Sequence, residues 1–588
     1  MKQSSRNAAA TIVTGLAITG MVLWSYWQIR GFSPSKPDEV IIIHAIQDYL
    51  YQNGSARIWL HVPPYTAFWP IIPMAYLIEG MHITGSNLSV LYTTNLMLHI
   101  LCALTLFAVL LAATGRRWPS VFAAALFALH PINAEVVASL HLCVYTFSTF
   151  FFLIAVGIYI TGFPRLSRKR YLAIFVAWTA SLLSHPGTIH LPVILLVLDF
   201  WMAKGEKPSA PLPADSSGIW RRYVVPKLPF FAFGILWTIL AMGFVYFLKP
   251  TRPEENLLTY LEKIPLTFIS WIRYLHAVFQ PFSPPKVNTG AELFGGPLPW
   301  IEIGIFFLIF VMITGAMLGL ARKHRFTAAG WLWFTICLIP FIAVQMKSQK
   351  IIVGRYTYLP AIGIFIIISW GSAALLARFR YRTLVAAVLA PLVLLVLMLA
   401  ARHQARHWEH VDSFIEFASP RLSKAAECQL YFDYGRLFFF QGDLNKSIAK
   451  LRQALSIRKA SFEIHNSLGV ALAANGNYRE ALIHFRRALA LNPHYIEAPN
   501  NLANLLADMG LTAEAITYYR QSLRLNPTQS TIHNNLATAL AQQGEFKAAV
   551  AHLEKSLAIK PDYSTARANL GRIRQFIKQQ PPASGDHP

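Results

Sequence analysis

Apolar and polar positions divide the chain into two halves with different rhythms. Up to about residue 401 the apolar residues come in long unbroken runs, such as Val385–Ala401 (VAAVLAPLVLLVLMLAA) and Ile301–Leu320, and these read as membrane helices. Threading spans between the basic clusters predicts eleven, at 9–29, 86–114, 118–131, 144–162, 171–187, 189–203, 228–248, 301–321, 328–346, 357–377 and 383–401. Beyond residue 401 the runs shorten and small residues recur in step. Gly435, Gly469, Ala503, Ala537 and Gly571 share one interval of 34 residues; so do Gly442, Gly476, Gly510 and Gly544, and Pro493, Pro527 and Pro561. Small residues let paired helices approach, glycines turn the chain between them, and prolines stop the second helix.

That interval is the period of the tetratricopeptide repeat. Units are expected at 426–459, 460–493, 494–527 and 528–561, with a closing helix to about 578, a connecting helix over 402–425 and a disordered tail over 579–588. The fold class is therefore all-α: a polytopic membrane domain over 1–401, then an α-solenoid whose stacked units form a concave groove.

Composition agrees with a membrane half, since 55% hydrophobic and 14% charged residues are too apolar for a soluble chain of 588 residues. The net charge of +24 does not point to nucleic acid, because many Lys and Arg punctuate the ends of apolar runs. Lys2/Arg6, Arg116/Arg117, Arg165–Arg170, Lys204–Lys227, Arg322–Arg325 and Arg378–Arg382 are assigned to the cytoplasmic side. An odd number of spans then carries the repeats to the opposite side, together with segments 30–85, 131–143, 249–300 and 347–356. The piece 258–282 is expected to lie along that outer surface as an amphipathic hairpin. The first span, lacking a clear cleavage site, reads as an uncleaved helix. Cys102, Cys143, Cys337 and Cys428 have no paired spacing, so neither disulfides nor a zinc site are expected.

Candidate chemistry sits on the outer side. Asp38 and Glu39 follow the first span, where adjacent carboxylates can act as a general base toward a hydroxyl or hold a divalent cation beside a phosphate; a solvated loop charge is the plainer reading. Arg355 precedes the tenth span, where a guanidinium suits a lipid-phosphate oxygen.

Several stretches carry a family resemblance. They are Asn95-Leu-Met-Leu-His99, Leu126-Phe-Ala-Leu-His130-Pro-Ile-Asn-Ala-Glu135-Val, and His185-Pro186 with Leu191 through Asp199-Phe-Trp. Ser270-Trp-Ile-Arg273-Tyr-Leu275, Gly330-Trp-Leu-Trp333 and Gly354-Arg355-Tyr356-Thr-Tyr-Leu-Pro-Ala-Ile-Gly363 complete the series. In this order they resemble the transmembrane tetratricopeptide proteins related to the protein O-mannosyltransferases, glycosyltransferases of the C-type fold that use polyprenyl-phosphate sugars. The resemblance implies that Asp38 or Glu39 is the catalytic base. It implies that His130 contacts phosphate or acceptor, with Glu135 orienting it. Arg355, Tyr356, Arg273 and His185 become candidates for donor-phosphate binding. The plainer alternatives are a helix-capping histidine with a structural carboxylate, and an interfacial arginine.

The sequence also departs from the family. Leu142-Cys-Val-Tyr145 stands where a charged stretch is expected, Gly354 replaces an Asp, Trp69-Pro70 lacks the histidine of the family's Trp-His-Pro, and His185-Pro186 replaces a Lys-containing pair. In the repeats, Asn466, Asn500 and Asn534, and likewise Asn501, Asn535 and Asn569, recur at the unit period. Such rows resemble the asparagine ladder of the cytosolic O-GlcNAc transferase repeats and can hydrogen-bond an extended peptide's backbone.

Three readings follow. The first is an inner-membrane glycosyltransferase that takes a polyprenyl-phosphate sugar and modifies hydroxyls of periplasmic proteins held by the groove, with no nucleic-acid partner; an endoplasmic-reticulum membrane with luminal repeats fits the same topology. The second is a decayed transferase domain anchoring a repeat scaffold for envelope proteins. The third is an enzyme with a glycan or lipid acceptor. No cofactor is required beyond the lipid-linked donor, apart from a divalent cation at Asp38/Glu39.

Overall fold

The structure, a computed structural model, describes residues 2–32, 71–84, 87–163, 166–202, 220–248, 265–280, 300–348, 354–422 and 424–579. The described residues are helical with no extended strand, and the chain separates into two compact units, Met1–Leu422 and Ser423–Pro588.

In the first unit each of the eleven expected spans holds a helix, but their lengths are uneven. Among the described residues five helices are long and apolar enough to cross a membrane: Ala9–Gly31, Ser89–Thr114, Leu140–Gly162, Trp300–Leu320 and Arg382–Arg406. A sixth arises if Arg117–Leu129 and Pro131–Ala138, bent by 46° at His130, count as one. Four more, Pro186–Met202, Val225–Leu240, Arg325–Phe341 and Ala361–Leu376, are shorter apolar helices, and Arg168–Ser184 lies over the remaining expected span. The expectation of eleven spans thus exceeds what length and composition support among the described residues, because several of the helices over those stretches are shorter than a bilayer crossing needs. The described part of 258–282 is a single helix, Leu266–Phe279, packed on Trp300–Leu320 and Arg325–Ser348, and not a hairpin.

Close approach fixes two of these helices. Gly330 and Gly363 face each other across Arg325–Ser348 and Ala361–Leu376, and a Cβ on either would collide with the other's carbonyl oxygen. The last long helix returns to the first: Gln28 Nε2 donates to the Arg402 carbonyl at 2.7 Å, and Arg402 donates to the Trp24 carbonyl at 2.7 Å. The chain therefore leaves this unit at the end where its first long helix finishes. At another point Asp199, buried, accepts from Lys227 and from the Tyr159 hydroxyl, so a charged pair that would be costly alone is satisfied.

The second unit is a stack of antiparallel helix pairs: Lys424–Phe440 with Leu444–Ile457, Phe462–Ala474 with Tyr478–Leu491, Glu497–Asp508 with Thr512–Leu525, and Ser530–Gln542 with Phe546–Ile559. Ser564–Gln579 closes it. Gly442, Gly476, Gly510 and Gly544 all sit at φ of about 80°, the left-handed region that turns each pair. Leu451, Phe485, Tyr519 and Leu553, one per unit, fill the core. On the outer face Arg452 pairs with Glu480 at 2.7 Å, Arg486 with Glu514 at 3.8 Å and Arg520 with Glu545 at 4.0 Å, linking successive units.

Candidate functional site

Two scaffold residues on one helix bring the first unit's motifs together. Asn95 and His99 lie four apart on Ser89–Thr114 and so share a face. Asn95 Nδ2 donates to the carbonyls of Val136 and Val137, both at 3.0 Å, and its Oδ1 accepts from Thr146 at 2.8 Å. His99 Nε2 lies 3.0 Å from the Ala128 carbonyl, which only an N–H can satisfy. Its Nδ1 therefore accepts from the Tyr358 hydroxyl at 2.6 Å. One residue thus holds the short helix carrying Glu135, and the other holds the turn carrying Arg355.

Between them the Glu135 and Arg355 motifs meet. Glu135, 5% exposed, accepts the Arg355 backbone N–H through Oε2 at 3.3 Å. Gly354 packs against the Ile132 carbonyl and the same carboxylate, so a side chain there would crowd Glu135. The Arg355 Nε is buried without a hydrogen-bond partner among the described residues, and its guanidinium lies 5.3 Å from the Tyr356 ring centre.

Aromatic rings wall this polar pair. Tyr145 packs on His185 at 4.7 Å, His185 on Phe341 at 5.3 Å, and Phe341 stacks on Tyr356 at 5.5 Å. Tyr274, next to Arg273 on Leu266–Phe279, meets Tyr356 at 6.4 Å. Tyr145, Phe341 and Tyr274 were not singled out from the sequence. Tyr145 closes the stretch where the family's charges are missing, so an aromatic wall occupies that side.

The two His-Pro dipeptides fold alike. His130 Nδ1 accepts from the Ile132 N–H at 3.2 Å, and His185 Nδ1 accepts from the Gly187 N–H at 3.0 Å, each capping a short 3₁₀ turn. Capping consumes Nδ1 and leaves Nε2 as the nitrogen that carries a proton in the neutral ring. Asp38 and Glu39 lie outside the described residues. Among the described residues no group of three His, Cys, Asp or Glu side chains is arranged to hold a metal ion. The four cysteines are buried, and none of them forms a disulfide.

In the second unit the asparagine rows are partly spent on each other. Asn501 Nδ2 donates to Asn466 Oδ1 at 3.0 Å, Asn569 to Asn534 at 2.9 Å, and Asn535 to Asn504 Oδ1 at 3.2 Å. Asn466 and Asn534 are buried, and the Oδ1 of Asn500 is buried without a partner. The rows therefore lace neighbouring units together, which their period alone did not reveal.

Histidine pairs mark alternate units. His465 and His484 meet Nδ1 to Nδ1 at 2.9 Å, as do His533 and His552. In each pair the first ring's Nε2 faces a backbone carbonyl, Lys459 at 3.2 Å or Pro527 at 3.1 Å, so its Nδ1 is the acceptor.

Comparison with known proteins bears on this second unit. Family models described as tetratricopeptide repeat match residues 462–495 and 494–562, and one described as TPR repeat matches 435–476. The C-terminal region is a tetratricopeptide-repeat region. Similar solved structures include a crystal structure of MamA protein, 20% identical, covering 26% of this chain and 82% of that one at a TM-score of 0.25. A pilF structure from Pseudomonas aeruginosa is 21% identical over 26% and 71% of the two chains, TM-score 0.25. YrrB, described as a TPR protein with an unusual peptide-binding site, is 17% identical over 32% and 97%, TM-score 0.25. No curated protein matches the chain.

Proposed function

We propose that the chain is an inner-membrane glycosyltransferase that moves a sugar from a polyprenyl-phosphate donor to hydroxyls of periplasmic proteins, which its repeats hold. The observation that carries this reading is the meeting of Glu135 and Arg355, supplied by motifs from distant parts of the chain and walled by aromatic rings. In the reaction, Asp38 or Glu39 takes the proton of an acceptor hydroxyl and the oxygen attacks the anomeric carbon. The bond from that carbon to the phosphate oxygen breaks, and Arg355 receives the leaving phosphate's charge. A single displacement inverts the anomeric centre. Glu135 acts as a positioning residue through the Arg355 backbone, and His185 offers Nε2 to phosphate or acceptor; His130, capped at Nδ1 and bonded to the Val278 backbone, positions the turn beside Glu135. Tyr356 and Arg273 complete the donor side. An odd number of spans, a cytoplasmic N-terminus and outer repeats give the topology; the meeting of Gln28 with Arg402 supports it, because first and last long helices end together. A divalent cation, if used, belongs at Asp38/Glu39.

Intact-mass glycoproteomics of the outer compartment tests this in cells holding wild type, an Asp38→Asn/Glu39→Gln variant, or no protein. The reading expects a sugar mass to vanish from the same proteins in the variant and the deletion. A second reading, a membrane-anchored repeat scaffold, draws on the family matches being confined to 435–562 and on uncharged Gly354. Unchanged glycan masses in all three strains would favour it.

A further inference from the structure

The repeat groove is not uniform along its length. Between the first two units lies a cavity of about 130 Å³ whose walls are Arg436, Phe439, Phe440, Asn466, Ser467 and Val470, over a floor of Leu451. Its aromatic wall has no counterpart further on: one period after another, Phe439 gives way to Ala473, Ala507 and Ala541, and Phe440 to Ala474, Asp508 and Gln542. Phe440 is 62% exposed, an unusual placement for a large apolar ring that already has Phe439 beside it.

Charge is distributed as unevenly. On the second helices Arg452, Arg486 and Arg520, one per unit, each meet a glutamate of the next unit. Arg436, exposed on a first helix, has no carboxylate within ion-pair distance among the described residues; its guanidinium sits 5.8 Å from the Phe432 ring instead. Asp433, one turn earlier, accepts from Gln429. At the positions equivalent to Arg436 the following units carry Val470, Asn504 and Thr538, so no formal charge recurs there until Arg572. The middle of the groove offers amides and hydroxyls that can meet a peptide backbone but discriminate little among side chains. The first pocket offers an apolar slot beside a cation that meets no carboxylate among the described residues.

We propose that this pocket is the groove's specificity anchor: it receives an aromatic or branched aliphatic side chain of an extended partner segment, with an adjacent acidic residue paired to Arg436. This rests on reading the repeats as a peptide-binding groove, and it names what that groove selects. An apolar ring entering the slot leaves water and gains Phe439, Phe440 and Val470 as neighbours. The neighbouring carboxylate gains the Arg436 guanidinium, which meets a ring and no carboxylate among the described residues. Segments lacking the pair meet only the amide floor and bind weakly.

The test uses the full chain in nanodiscs and fluorescence anisotropy of a labelled Gly/Ser peptide carrying one Phe-Asp pair. Companion peptides carry Ala-Asp, Phe-Asn and Phe-Lys. The expected result is binding of the Phe-Asp peptide that weakens about tenfold or more, ~1.4 kcal/mol, with Ala-Asp or Phe-Asn, or with Ser467→Trp filling the pocket. Arg436→Glu, an exposed substitution that leaves the core intact, should reverse the preference so that Phe-Lys binds better than Phe-Asp. If all four peptides bind equally and neither variant changes them, the pocket proposal falls while the groove survives. If no peptide binds at concentrations up to about 1 mM, both fall.

Discussion

Glu135 Oε2 accepts the backbone N–H of Arg355 at 3.3 Å, joining residues 220 positions apart. The carboxylate thereby sets where the guanidinium starts. Leaving that buried N–H unpaired costs about 1–3 kcal/mol. Glu135→Ala should therefore weaken binding of polyprenyl phosphate about tenfold. Glu135→Gln keeps an acceptor oxygen and should bind close to wild type. Native mass spectrometry of the detergent-solubilised chain with added polyprenyl phosphate measures both.

Asn95 makes three buried hydrogen bonds to the segments on either side of it. Asn95→Ala orphans two backbone carbonyls, while the Thr146 hydroxyl keeps the Cys143 carbonyl as acceptor, so a loss of about 2–4 kcal/mol is expected, at the upper end of polar truncations. Tyr358→Phe removes a single bond to His99 and should cost about 1 kcal/mol. Thermal unfolding of the purified chain, followed by intrinsic fluorescence, should rank Asn95→Ala well below Tyr358→Phe.

Gly363 has no room for a methyl group, because the Gly330 carbonyl fills the space. Gly363→Ala and Gly330→Ala should each force the two helices apart and cost about 1–3 kcal/mol as overpacking does. Gly371, further along the same helix with only the Phe326 ring nearby, should accept Ala without loss. Melting temperatures of the three variants decide it.

The histidine pairs predict an acid-sensitive repeat unit. Burial lowers His465, His484 and His533 below the ordinary imidazole value of 6.5. It takes His552 down to about 4, with His533, Lys555 and Arg520 adding to the effect. Beside His484, Glu480 and Arg452 partly offset each other, whereas His552 faces cations only. A histidine whose folded value lies below its unfolded one opposes folding once protonated. Stability is therefore full above about pH 6.5 and falls as pH drops toward about 4. The repeat transition of the intact chain, followed by circular dichroism, should melt several degrees lower at about pH 4.5 than at about pH 7. His552→Gln should flatten that slope more than His484→Gln.

The repeats were legible because their determinants are local: a glycine at positive φ, a small residue opposite a core ring, and a proline, all within one period. The first unit was legible as apolar runs, yet its span count was not, since several helices over those runs are shorter than a bilayer crossing needs. Arg355, Glu135 and His185 were found as separate motif residues, and the structure places them around one set of rings. Tyr145 escaped because an aromatic at a helix start carries no chemical signature in sequence. Asn466 and Asn534 were read as open to a peptide; their bonds to Asn501 and Asn569 depend on how adjacent units stack, which a period does not encode.

The most direct test of the central claim is sugar transfer by the purified chain in nanodiscs, given a polyprenyl-phosphate hexose and a periplasmic protein extract. The account predicts release of polyprenyl phosphate with matching gain of hexose mass on protein. It predicts that Arg355→Ala abolishes both while the chain still melts as the wild type does. Donor turnover unchanged in Arg355→Ala, or no turnover by the wild type, would contradict it.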